Sequence, residues 1–169
     1  MSEVAYRRAR AGLADGAAVA AVFGAARAQM TYLPVLHTAE EDRAFFTDRV
    51  IGSGSHDVTV VEVEVEVEVE VDVDVDVEGE IVAFSAVCRG WIEHLYVTPA
   101  WQGRGIGSAL LARAMSEHPG GLDLWVFESN VRAAALYARS GFVVVERTDG
   151  GGNEERLPDL RMRWGGSGG

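Results

Sequence analysis

Hydrophobic and polar positions change period several times along this chain, and each change marks an element. Val4 to Arg10 alternates and predicts a first strand. Ala11 to Ala28 is alanine- and valine-rich, with Asp15 placed as an N-cap for a helix reaching about Gln29. Met30, Thr31, Tyr32, Leu33 and Pro34 form an aromatic-containing loop. Thr38 followed by Glu41 is a capping box, which opens a helix from Ala39 to about Val50; the run Gly52, Ser53, Gly54, Ser55 breaks it.

From Val61 to Glu78 valine alternates with glutamate or aspartate without a fault, and Gly79 supplies a turn. Period two puts every valine on one face and every carboxylate on the other, which is strand chemistry. Fully extended, such a run would span roughly 60 Å, longer than a domain of this size is wide. A slip of two residues leaves the pattern unchanged, so it specifies one pairing poorly. It reads as an expanded repeat (61–80) inside an ordinary hairpin, with no chemistry of its own; the alternative is a cation- or partner-binding acidic ladder.

Beyond the turn, Glu80 to Val87 and Trp91 to Val97 read as strands. A helix is expected from about Gly105 to Glu117, a buried strand at Leu122 to Phe127, a helix at Asn130 to Ser140, and strands at Phe142 to Arg147 and Leu160 to Trp164. Antiparallel strands come first and strand–helix–strand–helix–strand follows, so the class is a mixed α/β sheet. Residues 1–164 read as one domain, and the Gly/Ser tail 165–169 is expected to be disordered.

Composition narrows this picture in two ways. The formal charge is −11, but ten of the 26 acidic residues fall between Glu62 and Glu80, and the remaining 16 nearly balance 15 basic residues. The acidity is local, no basic stripe is left over, and nucleic acid is not expected as a partner. The single cysteine, Cys88, lies in the apolar run IVAFSAVC and reads as a small core residue, so no intrachain disulfide forms. With no signal peptide and no membrane span read in the sequence, a cytoplasmic location is expected. Asp15 and Arg27 inside the alanine-rich segment point to an ordinary amphipathic helix.

The densest chemical signal is Glu93 to Leu111, EHLYVTPAWQGRGIGSALL, a strand that runs into a glycine-rich turn opening a helix. Glycines let the backbone approach a ligand, and the unpaired amides of a first helical turn point at it with the helix dipole behind them. Arg104 adds positive charge, so the expected guest is a phosphate or pyrophosphate. A dinucleotide fold begins similarly, and Glu128 lies about twenty residues on. The G-x-G-x-G spacing lacks that fold's third glycine, and too little chain follows for a doubly wound sheet.

Gln102, Gly103, Arg104, Gly105, Ile106 and Gly107 match the signature Q/R-x-x-G-x-G/A, and Asn130, Ala133, Leu136, Tyr137, Gly141 and Phe142 match N-x-x-A-x-x-F/L-Y-x-x-x-G-F. Together they resemble the GNAT acetyltransferases, whose element order the chain follows from residue 4 to 164. The resemblance implies the GNAT fold: a mixed central sheet of about seven strands, antiparallel at its N-terminal side, with a splayed central strand and about four flanking helices. It also implies acetyl-CoA as cosubstrate, no metal, and transfer to a primary amine of a small molecule or peptide. An inactive acyl-CoA-binding module on the same fold is the alternative. A toxin-like enzyme acting on charged tRNA is weaker, given the missing basic surface.

By the same resemblance Leu95, Tyr96 and Val97 would pair with the pantetheine arm, and the amides of Gln102, Gly103, Arg104, Gly105, Ile106, Gly107 and Ser108 would hold the pyrophosphate. Asn130 and Ala133 would meet the cofactor arm, although Asn130 also reads as a simple helix cap. Tyr137 would face the sulfur as the acid, or else be a core aromatic. Glu93 is the favoured base, acting through water, or else a surface carboxylate, with His94 or His37 as alternatives. Period two places Glu93, Leu95 and Val97 on one strand face, and His94 and Tyr96 on the other. Tyr32, His37 and Glu154 are candidates for the acceptor side, with Glu155 and Asp159 as further partners for an ammonium. Edge pairing of the acidic ladder would support a homodimer and its repulsion would hinder one.

Overall fold

The computed structural model describes residues 3–64 and 79–165. Chain order is β1 (Val4–Arg8), α1 (Leu13–Ala28), α2 (Ala39–Ala44), a π-helical turn (Phe45–Ile51), β2 (Asp57–Val63), β3 (Glu80–Cys88) and β4 (Trp91–Val97). A short 3₁₀ turn (Pro99–Trp101) leads to α3 (Ile106–Glu117), β5 (Leu122–Phe127), α4 (Val131–Arg139), β6 (Val143–Thr148) and β7 (Asp159–Trp164). The strands form one seven-stranded sheet in the order β1-β2-β3-β4-β5-β7-β6. All neighbours are antiparallel except β4 and β5, which run parallel. The mixed sheet and four helices are those expected from the sequence.

Helices cover both faces. On one, α1 buries Val19 and Val22, three residues apart, against Phe46, Val58, Val60 and Phe84. The close approach of α1 to the π-helical turn needs Gly16, because a Cβ there would lie 2.0 Å from Thr47 Oγ1. On the other face α3 inserts Ile106, Leu110, Leu111 and Ala114 between the sheet and its neighbours, and α4 contributes Tyr137.

Two local expectations change. Asp15 is not the N-cap of α1: Gly12 holds that position without a side-chain cap bond, and Asp15 lies inside the first turn. There its carboxylate accepts two hydrogen bonds from the Arg7 guanidinium, at 2.8 and 3.0 Å, and one from the Arg10 amide at 2.7 Å. Arg7 also donates to Glu62 at 2.7 Å, so one guanidinium joins β1, α1 and β2. The Thr38–Glu41 capping box forms as read, but the helix it opens widens into the π-helical turn after Ala44.

Of the valine–acid repeat, Val61 to Val63 continue β2, which begins earlier than the repeat, at Asp57. Glu62 pairs with Ile81 and Val63 with Glu80, fixing the hairpin register at its base. The rest of the repeat, 65–78, and the tail 166–169 lie outside the described residues. No helix among the described residues is long and apolar enough to cross a membrane.

Candidate active site

Strands β4 and β5 pair only at Trp91–Asp123 and Ile92–Leu124 and then part. The gap between them opens into a cavity of about 1200 Å³. Beyond Ile92 the β4 backbone is paired with β3 alone, through Leu95–Ser85, Tyr96–Phe84 and Val97–Ala83. Leu95, Tyr96 and Val97 line the cavity, where their free backbone edge faces the gap.

At one end of the gap stands the glycine turn. Gly103 and Gly105 take the left-handed conformation at φ 75° and 81°, and Gly105 is the N-cap of α3, with no side chain capping it. The first helical amides, at Ile106, Gly107 and Ser108, have no acceptor within the helix, and all three residues line the cavity. A Cβ on Gly105 would meet nothing within 4 Å, so its surface is open to a ligand. Gln102 ties the turn to the strand end: its amide donates to Val97 O at 2.9 Å and to Gln29 Oε1 at 2.8 Å.

Two arginines stand at this turn. Arg104 stacks over Trp101, 4.5 Å from the ring centroid, and is not part of the cavity lining. Arg132 lines the cavity instead, donating to Gln102 Oε1 at 3.2 Å, and its guanidinium lies 3.9 Å from the Cβ position of Gly103. Sequence reading missed Arg132. The available signal was a basic residue in the first turn of a helix, where the dipole disfavours it unless an anion compensates.

Asn130, Ala133 and Tyr137 occupy one face of α4 and all line the cavity. Asn130 is also the helix cap, its Oδ1 accepting from the Ala133 amide at 3.3 Å. Tyr137 is only 7% exposed and packs on Phe142, with ring centroids 5.8 Å apart. Burial raises its phenol pKa beyond the normal tyrosine range, so the group stays protonated at all ordinary pH.

The alternation expected through β4 breaks at Glu93. His94 pairs with Ala86 and Ile92 with Val87, so Glu93 is the extra residue of a β-bulge. Ile92 and Leu95 consequently pack into the same cluster with Leu111 and Leu124. Glu93 does not simply follow Leu95 and Val97: it lines the cavity while its carboxylate meets His56 Nε2 at 2.5 Å. His94 is sunk among Phe23, Phe45, Phe46 and Phe84, outside the cavity lining. That burial lowers its pKa to about 4, so it is neutral at physiological pH.

On the acceptor side Tyr32 lines the cavity, and burial raises its phenol pKa. Glu155 lines it too, paired with Arg27 at 3.1 Å. Asp159 also reaches it, but its carboxylate is engaged by Thr148 and by Asn153 at 3.1 Å. His37 and Glu154 lie outside the lining and bind each other at 2.6 Å, with Glu41 3.4 Å from the other ring nitrogen. These two clasp the loop after α1 to the loop between β6 and β7.

Residues 39–144, more than half of the chain, match the family described as acetyltransferase (GNAT) domain. Solved structures share the fold across almost the whole length. The apo form of YjaB from Escherichia coli is 21% identical, with 98% of this chain and 99% of that one covered at a TM-score of 0.69. The yncA protein from Salmonella typhimurium, solved with its cofactor acetyl-CoA, is 21% identical, with 97% and 94% covered at 0.67. NAA60 from Arabidopsis thaliana, solved with a bisubstrate analogue, is 18% identical, with 99% and 100% covered at 0.66. No curated protein sequence matches the chain.

Proposed function

This chain belongs to the GNAT acetyltransferases and is an acyltransferase; from that premise we propose that it passes acetyl from acetyl-CoA directly to a primary amine of a small molecule or peptide held in the same cavity. The observation that carries the reading is the continuity of the cavity from the amides of α3, along the free edge of β4, to Tyr32 and Glu155. A pyrophosphate fits the first, an extended pantetheine arm the second, and an ammonium the third.

In this reading the acceptor amine attacks the thioester carbonyl, a C–N bond forms and the C–S bond breaks. An ammonium must first lose a proton, and Glu93 takes it, directly or through a water. The Val97 amide is the candidate donor to the developing oxyanion. The departing thiolate takes a proton from Tyr137, whose burial keeps the phenol protonated. Arg132 and the α3 amides hold the pyrophosphate, with Gln102 fixing the turn they share.

The test is calorimetric titration with acetyl-CoA of the wild-type protein and of Gly105→Glu. The variant places a carboxylate against the proposed pyrophosphate and strains a left-handed backbone position. Binding by the wild type and none by the variant is expected, followed by acetylation of members of an amine panel. A wild-type protein that does not bind acetyl-CoA sinks the reading.

A further inference from the structure

His56, Cys88 and Glu93 come from three neighbouring strands or strand ends, and one ligand atom of each lies within 4.8 Å of the others. His56 immediately precedes β2, Cys88 ends β3, and Glu93 is the bulged residue of β4. Imidazole, thiolate and carboxylate are each zinc ligands, and three protein ligands with one position left open is the arrangement of catalytic zinc sites. None of the three is consumed by the core: Cys88 and His56 are half-buried and Glu93 is exposed.

The proton bookkeeping of the hydrogen bonds around His56 is informative. Ser53 donates its hydroxyl proton to Arg49 O, so the 2.7 Å bond between Ser53 and Ser55 must use the Ser55 proton. Ser55 Oγ then has only lone pairs for His56 Nδ1, 2.9 Å away, so Nδ1 carries the hydrogen and donates. That leaves Nε2 as the ring nitrogen facing Glu93, 2.5 Å from a carboxylate oxygen. Fixing one ring nitrogen by hydrogen bonding so that the other faces a metal is the usual outer-shell arrangement of histidine ligands.

We propose that His56, Cys88 and Glu93 form a binding site for a divalent cation of the zinc class, and that its occupation removes Glu93 from acetyl transfer. The cation enters between His56 Nε2 and Glu93 and bonds to both. The Cys88 S–H bond breaks, sulfur bonds the metal, and the thiol proton goes to solvent, as does any proton on Nε2. The cation is an inhibitor here and not a cofactor. The inhibitory half rests on the proposed role of Glu93 as base; the binding half does not.

Cobalt(II) tests the site without reference to activity. Titrating the reduced, metal-free protein should raise the near-ultraviolet thiolate-to-cobalt absorption, and zinc(II) should abolish it by displacement. Cys88→Ser and His56→Ala should each lose the band, with thermal melts checking that both variants are folded. No band in the wild type, or a band undiminished in Cys88→Ser, overturns the site. In the second arm, acetylated amine is measured by mass at rising zinc(II). Zinc should stop the wild type and leave Cys88→Ser active. A bound metal with undiminished acetylation overturns the inhibitory half and the assignment of Glu93 as base, while the spectrum still supports the site.

Discussion

Tyr96 and Tyr137 reach the same cavity from opposite faces of one sheet. Tyr96 lies on the α1 side, its ring 5.2 Å from that of Phe23, while Tyr137 descends from α4 on the other side. They share a space because β4 and β5 separate beyond Ile92, turning a sheet that would divide the molecule into a passage through it. The burial that raises both phenol pKa values leaves two neutral hydroxyls there. In the proposed reaction cofactor and acceptor would enter from different sides and react in the middle.

Tyr137→Phe should keep acetyl-CoA affinity and lower kcat by about 10²–10⁴-fold, the usual worth of one positioned proton donor. The ring packing on Phe142 survives the substitution, so stability should hardly change. Titration calorimetry and steady-state rates check both parts. Unchanged kcat would reduce Tyr137 to a core aromatic.

Arg132→Ala should weaken acetyl-CoA binding by roughly three- to tenfold, with the loss shrinking at high salt, because an exposed cation contributes modestly and is screened. Arg104→Ala should do less, since that guanidinium rests on Trp101. Affinities of the two variants at low and high ionic strength separate the roles. A larger loss for Arg104 would restore it as the pyrophosphate cation.

Arg7 holds the Asp15 carboxyl below the usual carboxylate range, chiefly by direct hydrogen bonding. The sign follows from linkage: the folded pKa is depressed, so this contribution is complete above the unfolded value of about 3.9 and fades as pH falls through the folded one. Urea midpoints should therefore drop on acidification, and Asp15→Asn should be less stable at neutral pH with a flatter acid limb. Parallel acid limbs for the two proteins would show that the pair does not contribute.

Phe46 is fully buried and meets Phe23, Phe84 and His94 edge-on or tilted. Phe46→Ala should cost about 3–5 kcal/mol of stability, the range for removing a buried aromatic ring. The cavity beneath α1 would also give His94 access to water and raise its pKa from about 4 toward normal. Denaturation curves and an NMR titration of His94 check the two effects.

Much of this protein is local in origin. Glycines at 103, 105 and 107 around the start of an apolar helix determine an open helix N-terminus, because backbone freedom and unpaired amides belong to neighbouring residues. The Thr38–Glu41 box and the strands Trp91–Val97 and Leu122–Phe127 are legible for the same reason: their signals lie within one element. Asp15 misled because its partner, Arg7, lies on another element, and a carboxylate takes the strongest donor that folding brings to it. Only the tertiary structure decided that Arg132 joins the cavity lining beside the glycine turn while Arg104 rests on Trp101, and that Glu93 bulges toward His56 and Cys88. The first depends on how α4 docks beside the turn and the second on the register of β2 and β3 with β4, and periodicity along one strand carries no information about the shift in its neighbour.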